Sequence, residues 1–123
     1  MTNELTLLYI EDDTEILENV SFLLSRFVKK VYTAIDGEEA LNVYAEQKPD
    51  ILVTDINIPK ISGLEVAERI RKENKKIPII IISAYTDDEQ LKKAKEIGVS
   101  TYVKKPFTLS DLKDAITKAI NEK

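Results

Sequence analysis

Between Ile77 and Ser83 the chain reads Ile-Pro-Ile-Ile-Ile-Ile-Ser, and this stretch narrows the possible folds more than any other. A run so uniformly apolar and β-branched suits a strand covered on both faces, the environment of inner strands in a parallel sheet. Four further runs of strand length accompany it: Thr6 to Ile10, Lys30 to Ala34, Ile51 to Asp55 and Thr101 to Lys104. Helical spacing fills the intervals. Thr14 to Phe27 sets Ile16, Val20, Leu23, Leu24 and Phe27 on one stripe. Asp36 followed by Glu39 predicts the next helix start, with Ala40, Leu41 and Tyr44 inward. Ser62-Gly63-Leu64-Glu65 opens a third, burying Val66, Ala67 and Ile70 and leaving Glu68, Arg69, Lys72 and Glu73 in water. Asp87 to Ile97 carries only a thin stripe of Leu91, Ala94 and Ile97, and Gly98 ends it. The last helix starts at Thr108-Leu-Ser-Asp111 and turns Leu112, Ala115, Ile116, Ala119 and Ile120 to the core. Strictly alternating strands and helices predict an α/β fold, a (βα)5 doubly wound parallel sheet with helices on both faces and right-handed crossovers.

At 123 residues, with three Gly, four Pro and no repeat or low-complexity tract, the expectation is one domain over 1–123 with a core of about 5–120. No helix-turn-helix, winged-helix or catalytic effector pattern follows the last helix, so no output domain is expected in this chain. A stand-alone protein and a piece of a longer one both remain open. The absence of Cys and His excludes disulfides, thiolate or imidazole ligation and a histidine base. Any metal must then sit on oxygen, which favours a hard cation such as Mg²⁺. A net charge of -4 argues against a nucleic-acid surface. Neither a secretion signal nor a membrane-spanning run is visible, so a cytoplasmic location with no membrane contact is expected.

Three strands end in residues suited to phosphoryl chemistry. Glu11 and Asp12 follow the first strand with Asp13 behind them, Asp55 closes the third, and Lys104-Lys105-Pro106 follows the fifth. In an open α/β sheet the carboxyl ends of parallel strands share one edge, where ligands bind. A carboxylate there can attack phosphorus and form an aspartyl phosphate, which makes Asp55 the candidate nucleophile. Asp55 could instead be a cap and the acidic cluster a complement to a helix dipole, but carboxylates gathered in one crevice repel one another and call for a cation. Mg²⁺ binds through one or two carboxylates and a phosphate oxygen, so it suits the place. Lys105 offers a positive partner for the phosphate, although one lysine among eighteen basic residues is unremarkable when taken alone. Ser83 ends the fourth strand with a small hydroxyl, and Ala84 leaves space beside it.

With these motifs in hand, the chain resembles a bacterial response-regulator receiver domain, the module of two-component signalling. The resemblance runs from Thr6 to about Ile120 and is carried by Ile10-Glu11-Asp12-Asp13, Thr54-Asp55-Ile56-Asn57-Ile58-Pro59 with Gly63, Ile82-Ser83-Ala84 and Tyr102-Val103-Lys104-Lys105-Pro106-Phe107. It implies strand order 2-1-3-4-5. It also implies that Asp55 is the phosphoacceptor and that Asp12, Asp55 and the Asn57 backbone carbonyl hold Mg²⁺, with Glu11 acting through water and Mn²⁺ as a substitute. Ser83 and Lys105 match the residues that hold the phosphoryl oxygens, and Tyr102 matches an aromatic switch that turns inward with Ser83. Glu11 and Ser83 stand where Asp and Thr are commoner, and both keep the chemistry. Lys60 stands in a loop where small residues are frequent.

The implied function is a phosphorylation-dependent switch, not an enzyme with turnover beyond its own phosphoryl transfer and autodephosphorylation. The phosphodonor would be a sensor histidine kinase or histidine phosphotransfer domain, docking at the first helix. The sparse stripe of the fourth helix marks it, with the fifth strand and fifth helix, as the responsive face for an effector protein or an output domain. The chain would be a monomer or a phosphorylation-promoted homodimer. Other readings fit less well. A docking-only module has no need of the five site residues. Phosphohydrolases with an aspartyl nucleophile place a second Asp two residues on, where this chain has Asn57. A flavin-binding sheet would want a phosphate cradle after the first strand, where Glu11-Asp12-Asp13 would repel it.

Overall fold

The computed structural model describes residues 4–84 and 87–121. Strands β1 (Thr6–Ile10), β2 (Lys30–Ala34), β3 (Ile51–Asp55), β4 (Ile79–Ser83) and β5 (Thr101–Lys104) alternate with helices α1 (Thr14–Leu24), α2 (Gly37–Gln47), α3 (Gly63–Glu73), α4 (Asp88–Ile97) and α5 (Leu109–Asn121). All strand pairs are parallel, in the order β2-β1-β3-β4-β5. This is the expected doubly wound sheet. The outermost residues of the predicted single domain, 1–3 and 122–123, lie outside the described residues.

Two-residue periodicity divides the strands between two apolar layers. Leu8, Ile10, Leu52, Ile79 and Ile81 face α2, α3 and α4, where Ala40, Tyr44, Val66, Ala67, Ile70, Ala94 and Ile97 complete one core. Leu7, Tyr9, Ile51, Val53, Ile80 and Ile82 face the other way, against Leu17 and Leu24 of α1 and Leu112, Ala115, Ile116 and Ala119 of α5. β3 and β4 are buried along their whole length, as a strand between two helix layers must be.

The caps explain where the helices begin. Asp13, Asp36, Ser62 and Asp87 each accept a hydrogen bond from an otherwise unpaired first-turn amide. Thr108 and Asp111 bond each other reciprocally before α5, side chain to backbone, at 3.0 Å each way.

Three expectations need correction. α1 ends at Leu24 instead of Phe27, and although Leu24 is buried and Val20 and Phe27 pack against the core as expected, Leu17 is buried in the place of Ile16, which is exposed. Spacing alone permits either residue, and the packing of α1 in the layer with Leu24, Val28 and α5 takes Leu17. β4 starts at Ile79 because Pro78 has no amide to donate, although its carbonyl still accepts from the Leu52 amide at 3.0 Å. In α4 only Ala94 and Ile97 are buried, and Leu91 stands 41% exposed. Among the described residues no helix is long and apolar enough to cross a membrane.

Ile81 is fully buried between β4 and the α2, α3 and α4 layer, whereas Ile16 on α1 is 37% exposed. Ile81→Ala is expected to lower unfolding free energy by roughly 2–5 kcal/mol, and Ile16→Ala by about 0.5 kcal/mol or less. Urea titration of the two variants beside the parent measures both.

Candidate functional site

The parallel register brings the ends of β1, β3, β4 and β5 to one edge. Asp55 lies opposite Ile82, and Ser83 opposite Lys104. Glu11 continues β1 and its amide donates to the Ala34 carbonyl at 3.1 Å, which fixes the residue at the crevice. After β5 the Lys105 amide donates to the Ser83 carbonyl at 3.0 Å, so the lysine turns back over the edge. The Lys105–Pro106 peptide bond is cis.

Glu11, Asp55 and Ser83 are all buried, with exposures of 2%, 5% and 2%. Lys105 Nζ lies between the two acids, donating to Glu11 Oε1 at 3.3 Å and to Asp55 Oδ2 in a shorter contact. The other oxygens are also held. Asn57 N–H donates to Asp55 Oδ1 at 2.9 Å, and Asp13 N–H donates to Glu11 Oε2 at 3.0 Å. Every carboxylate oxygen of the buried pair thus has a donor, and the Asp55 side chain is fixed at both oxygens before any ligand arrives.

Gly63 sets the far wall. A Cβ at this position would come within 2.1 Å of the Asp55 carbonyl oxygen, so only glycine lets α3 start this close behind the acid. The Gly63 amide closes the loop by donating to the Ile56 carbonyl at 2.9 Å. Lys60, with φ +69, points elsewhere: its Nζ is 3.6 Å from Asp36 and 3.9 Å from Glu38 at the start of α2.

The electrostatics follow from burial and pairing. Burial raises the Glu11 pKa above the usual glutamate range, and the Asp13 amide and Lys105 offset this only in part. For Lys105, desolvation acts to lower the pKa, but the hydrogen bond and charge of Asp55, then those of Glu11, outweigh it and leave the ammonium raised. Tyr9 is a residue that sequence reasoning missed. It looked like strand filler, yet its buried hydroxyl has no hydrogen-bond partner among the described residues. Burial and the negative charges of Glu11, Asp55 and Asp13 push its pKa far up.

The remaining candidates are placed less centrally. Asp12 and Asn57 are exposed beside the buried pair, and Asp13 caps α1 through Glu15 and Ile16 at 3.1 Å each. The helix-start role that an acidic cluster can play therefore falls to Asp13. Tyr102 is half-buried on β5, and its hydroxyl donates to the Gln90 carbonyl of α4 at 3.4 Å. Burial raises its pKa.

Among the described residues no three acidic groups form a ready-made metal cage. Asp55 and Glu11 are occupied with Lys105 and backbone amides, and Asp13 is turned to its cap. The donor set still fits a hard cation. One ammonium faces two buried carboxylates with a third acid, Asp12, at the surface, so net negative charge remains beside oxygen donors alone.

A parallel sheet in this order, with buried acids and a lysine at its carboxyl edge, defines a response-regulator receiver fold. The family model described as "Response regulator receiver domain" matches residues 7–117, and the chain belongs to that family, the receiver domains of two-component systems. It is 41% identical over 101 residues to the transcriptional regulatory protein AfsQ1 of Streptomyces coelicolor, covering 82% of this chain and 44% of that protein. The chain thus spans less than half the length of that relative. It is 28% identical over 118 residues to sporulation initiation phosphotransferase F of Bacillus subtilis, covering 96% and 94% of the two chains. A solved response regulator receiver domain protein from Clostridium thermocellum superposes with a TM-score of 0.88 at 33% identity, covering 96% of this chain and 95% of that one.

Because Lys105 is among the influences that lower the Glu11 pKa, its removal has a defined sign. The Glu11 carboxyl is expected to titrate above the ordinary glutamate range in the parent and higher still in Lys105→Met. A raised carboxyl favours the fold at pH below its unfolded value and withdraws that support as pH climbs through the folded one. Carbon-13 NMR titration of the side-chain carboxyls checks both positions.

Proposed function

We propose that this receiver domain is a phosphorylation-dependent switch with Asp55 as the phosphoacceptor. The observation that carries the reading is the double tether of a 5% exposed aspartate, Oδ1 to the Asn57 amide and Oδ2 to Lys105, at the open edge of the sheet. A nucleophile so fixed meets an incoming phosphoryl group without reorganising. An Asp55 oxygen forms the new bond to phosphorus as the bond to the donor's imidazole nitrogen breaks, and that nitrogen keeps the electron pair and takes up a proton. Lys105 is placed to move its ammonium from the carboxylate onto a phosphoryl oxygen, and the Ser83 hydroxyl to donate to another. Asp12, Asp55 and the Asn57 backbone carbonyl would hold Mg²⁺, with Glu11 acting through water and Mn²⁺ as a substitute. When bound, the ion neutralises charge on the group in transfer. With Asn57 two residues beyond Asp55 there is no second acid to shuttle a proton, so rapid multiple turnover is not expected.

The phosphodonor in this reading is a sensor histidine kinase or a histidine phosphotransfer domain. The readout runs through Ser83 and Tyr102 to the face of α4, β5 and α5, where an effector protein, an output domain or a second copy of the chain would bind. The hydroxyl contact from Tyr102 to Gln90 supports this route, since it already links β5 to α4. A docking-only role is less favoured, because two buried acids and their lysine serve no docking purpose.

Incubation with acetyl phosphate and Mg²⁺ is expected to add one phosphoryl mass to the parent and none to Asp55→Ala, as read by intact mass spectrometry. Chelation of Mg²⁺ should abolish the adduct. An adduct that survives in Asp55→Ala would overturn the assignment.

A further inference from the structure

Helix α4 is attached very unequally along its length. Its buried residues, Ala94 and Ile97, both lie in the second half, while Leu91 in the first half stands 41% exposed. The first half is held through the 3.4 Å contact from the Tyr102 hydroxyl to the Gln90 carbonyl. A partly exposed ion pair, Lys93 to Glu68 at 3.2 Å, sits near the middle and adds little.

The other end is held by a residue that sequence reasoning placed in no site. Arg71, in the last turn of α3, spreads its guanidinium across three backbone carbonyls. Nε donates to Ile97 at 3.1 Å, Nη2 to Gly98 at 2.8 Å and Nη1 to Asn74 at 3.2 Å. The Asn74 carbonyl ends α3, and the other two end α4. Carbonyls at a helix end lack intrahelical partners and carry the negative end of the dipole, so two such ends meeting would repel. One planar cation with a fixed fork of donors satisfies both, which a lysine could not do. Gly98, with φ +87, supplies the left-handed turn that presents its carbonyl to the arginine.

We propose that Arg71 is a positioning residue that pins the C-terminal end of α4, so that the helix answers the site by pivoting about Ile97 and Gly98. Displacement is then largest at Asp88 to Lys92, the end nearest the Ser83 strand terminus and held through Tyr102. The pivot rests on the proposed switch function; the clamp does not. A ten-residue helix is about 15 Å long, so a small tilt at a fixed end becomes a large movement at the free one.

Amide exchange and chemical shifts by NMR, for the parent, Arg71→Met and Arg71→Lys, with and without beryllofluoride and Mg²⁺, separate the two claims. Without beryllofluoride, the Gly98 and Val99 amides, both bonded to the Ala94 carbonyl at 3.0 Å, should lose protection by about tenfold or more in both variants, while Leu91 is unaffected. The lysine variant keeps the charge and loses the fork, so its failure to rescue identifies the fork as the cause. With beryllofluoride, shift changes in the parent should be larger over residues 88–92 than over 95–99. In Arg71→Met they should spread along the whole helix. Unchanged protection at Gly98 in both variants would overturn the clamp. Changes in the parent that are even along α4, or larger at its C-terminal end, would overturn the pivot. If the parent shows no change at Asp55 and Lys105, the phosphoacceptor reading fails and takes the pivot with it, while the exchange data still decide the clamp.

Discussion

Burying an ionised carboxylate costs several kcal/mol unless a partner offsets it, and this fold buries two at the edge of one sheet. Lys105 makes that arrangement tenable. Its ammonium reaches Glu11 on one side and Asp55 on the other, and backbone amides take the oxygens it does not reach. The rest of the architecture serves this contact. The strand order sets β1 beside β3, so that the two acids adjoin, and β5 at the sheet's end, from which the chain turns back with the lysine. The glycine behind Asp55 lets α3 close the loop without pushing the acid out of line. One positive charge against two buried negatives is an unequal match. The crevice keeps a residual attraction for cations, and the fold keeps an electrostatic strain that a better-packed apolar edge would lack.

The sheet's interior and its edge are built from opposite materials. Within β1, β3 and β4, isoleucine, leucine and valine fill both layers and are fully covered, so the centre of the sheet is stiff. At the carboxyl ends the polar groups are individually tethered to strand-end amides and to one another. A ligand at such an edge meets groups that are already aligned. The helices beside that edge are anchored unequally: α3 buries Leu64, Val66, Ala67 and Ile70, whereas α4 buries only Ala94 and Ile97, both in its second half.

Much of this was legible in the residues. Apolar runs ending in Asp55, Ser83 and the Glu11 cluster announced both the strands and their shared edge, because a parallel sheet needs continuous burial and puts chemistry where it stops. What the residues concealed was rotational and relational. Ile16 and Leu17 are equally apolar neighbours, and only the angle at which α1 lies on the sheet decides between them. Leu91 fits the helical stripe but lies beyond the reach of the core. Arg71 drew no attention in the sequence, since its three carbonyl partners belong to helix ends that come together only in the folded chain. Tyr9 passed for core because its ring is core; only its hydroxyl, without a partner among the described residues, sets it apart.

The charge cluster also has a history within each molecule. Lys105 pairs with a residue 50 positions earlier in Asp55 and with one 94 positions earlier in Glu11. Contacts spanning so much chain form late, because the loops they close lose the most entropy. The strand that delivers the lysine lies at the sheet's edge and follows both acids in the chain. A chain emerging from the ribosome therefore carries both acids unpaired until β5 has followed them out, and the completed cluster certifies that the first and fifth strands have found one sheet.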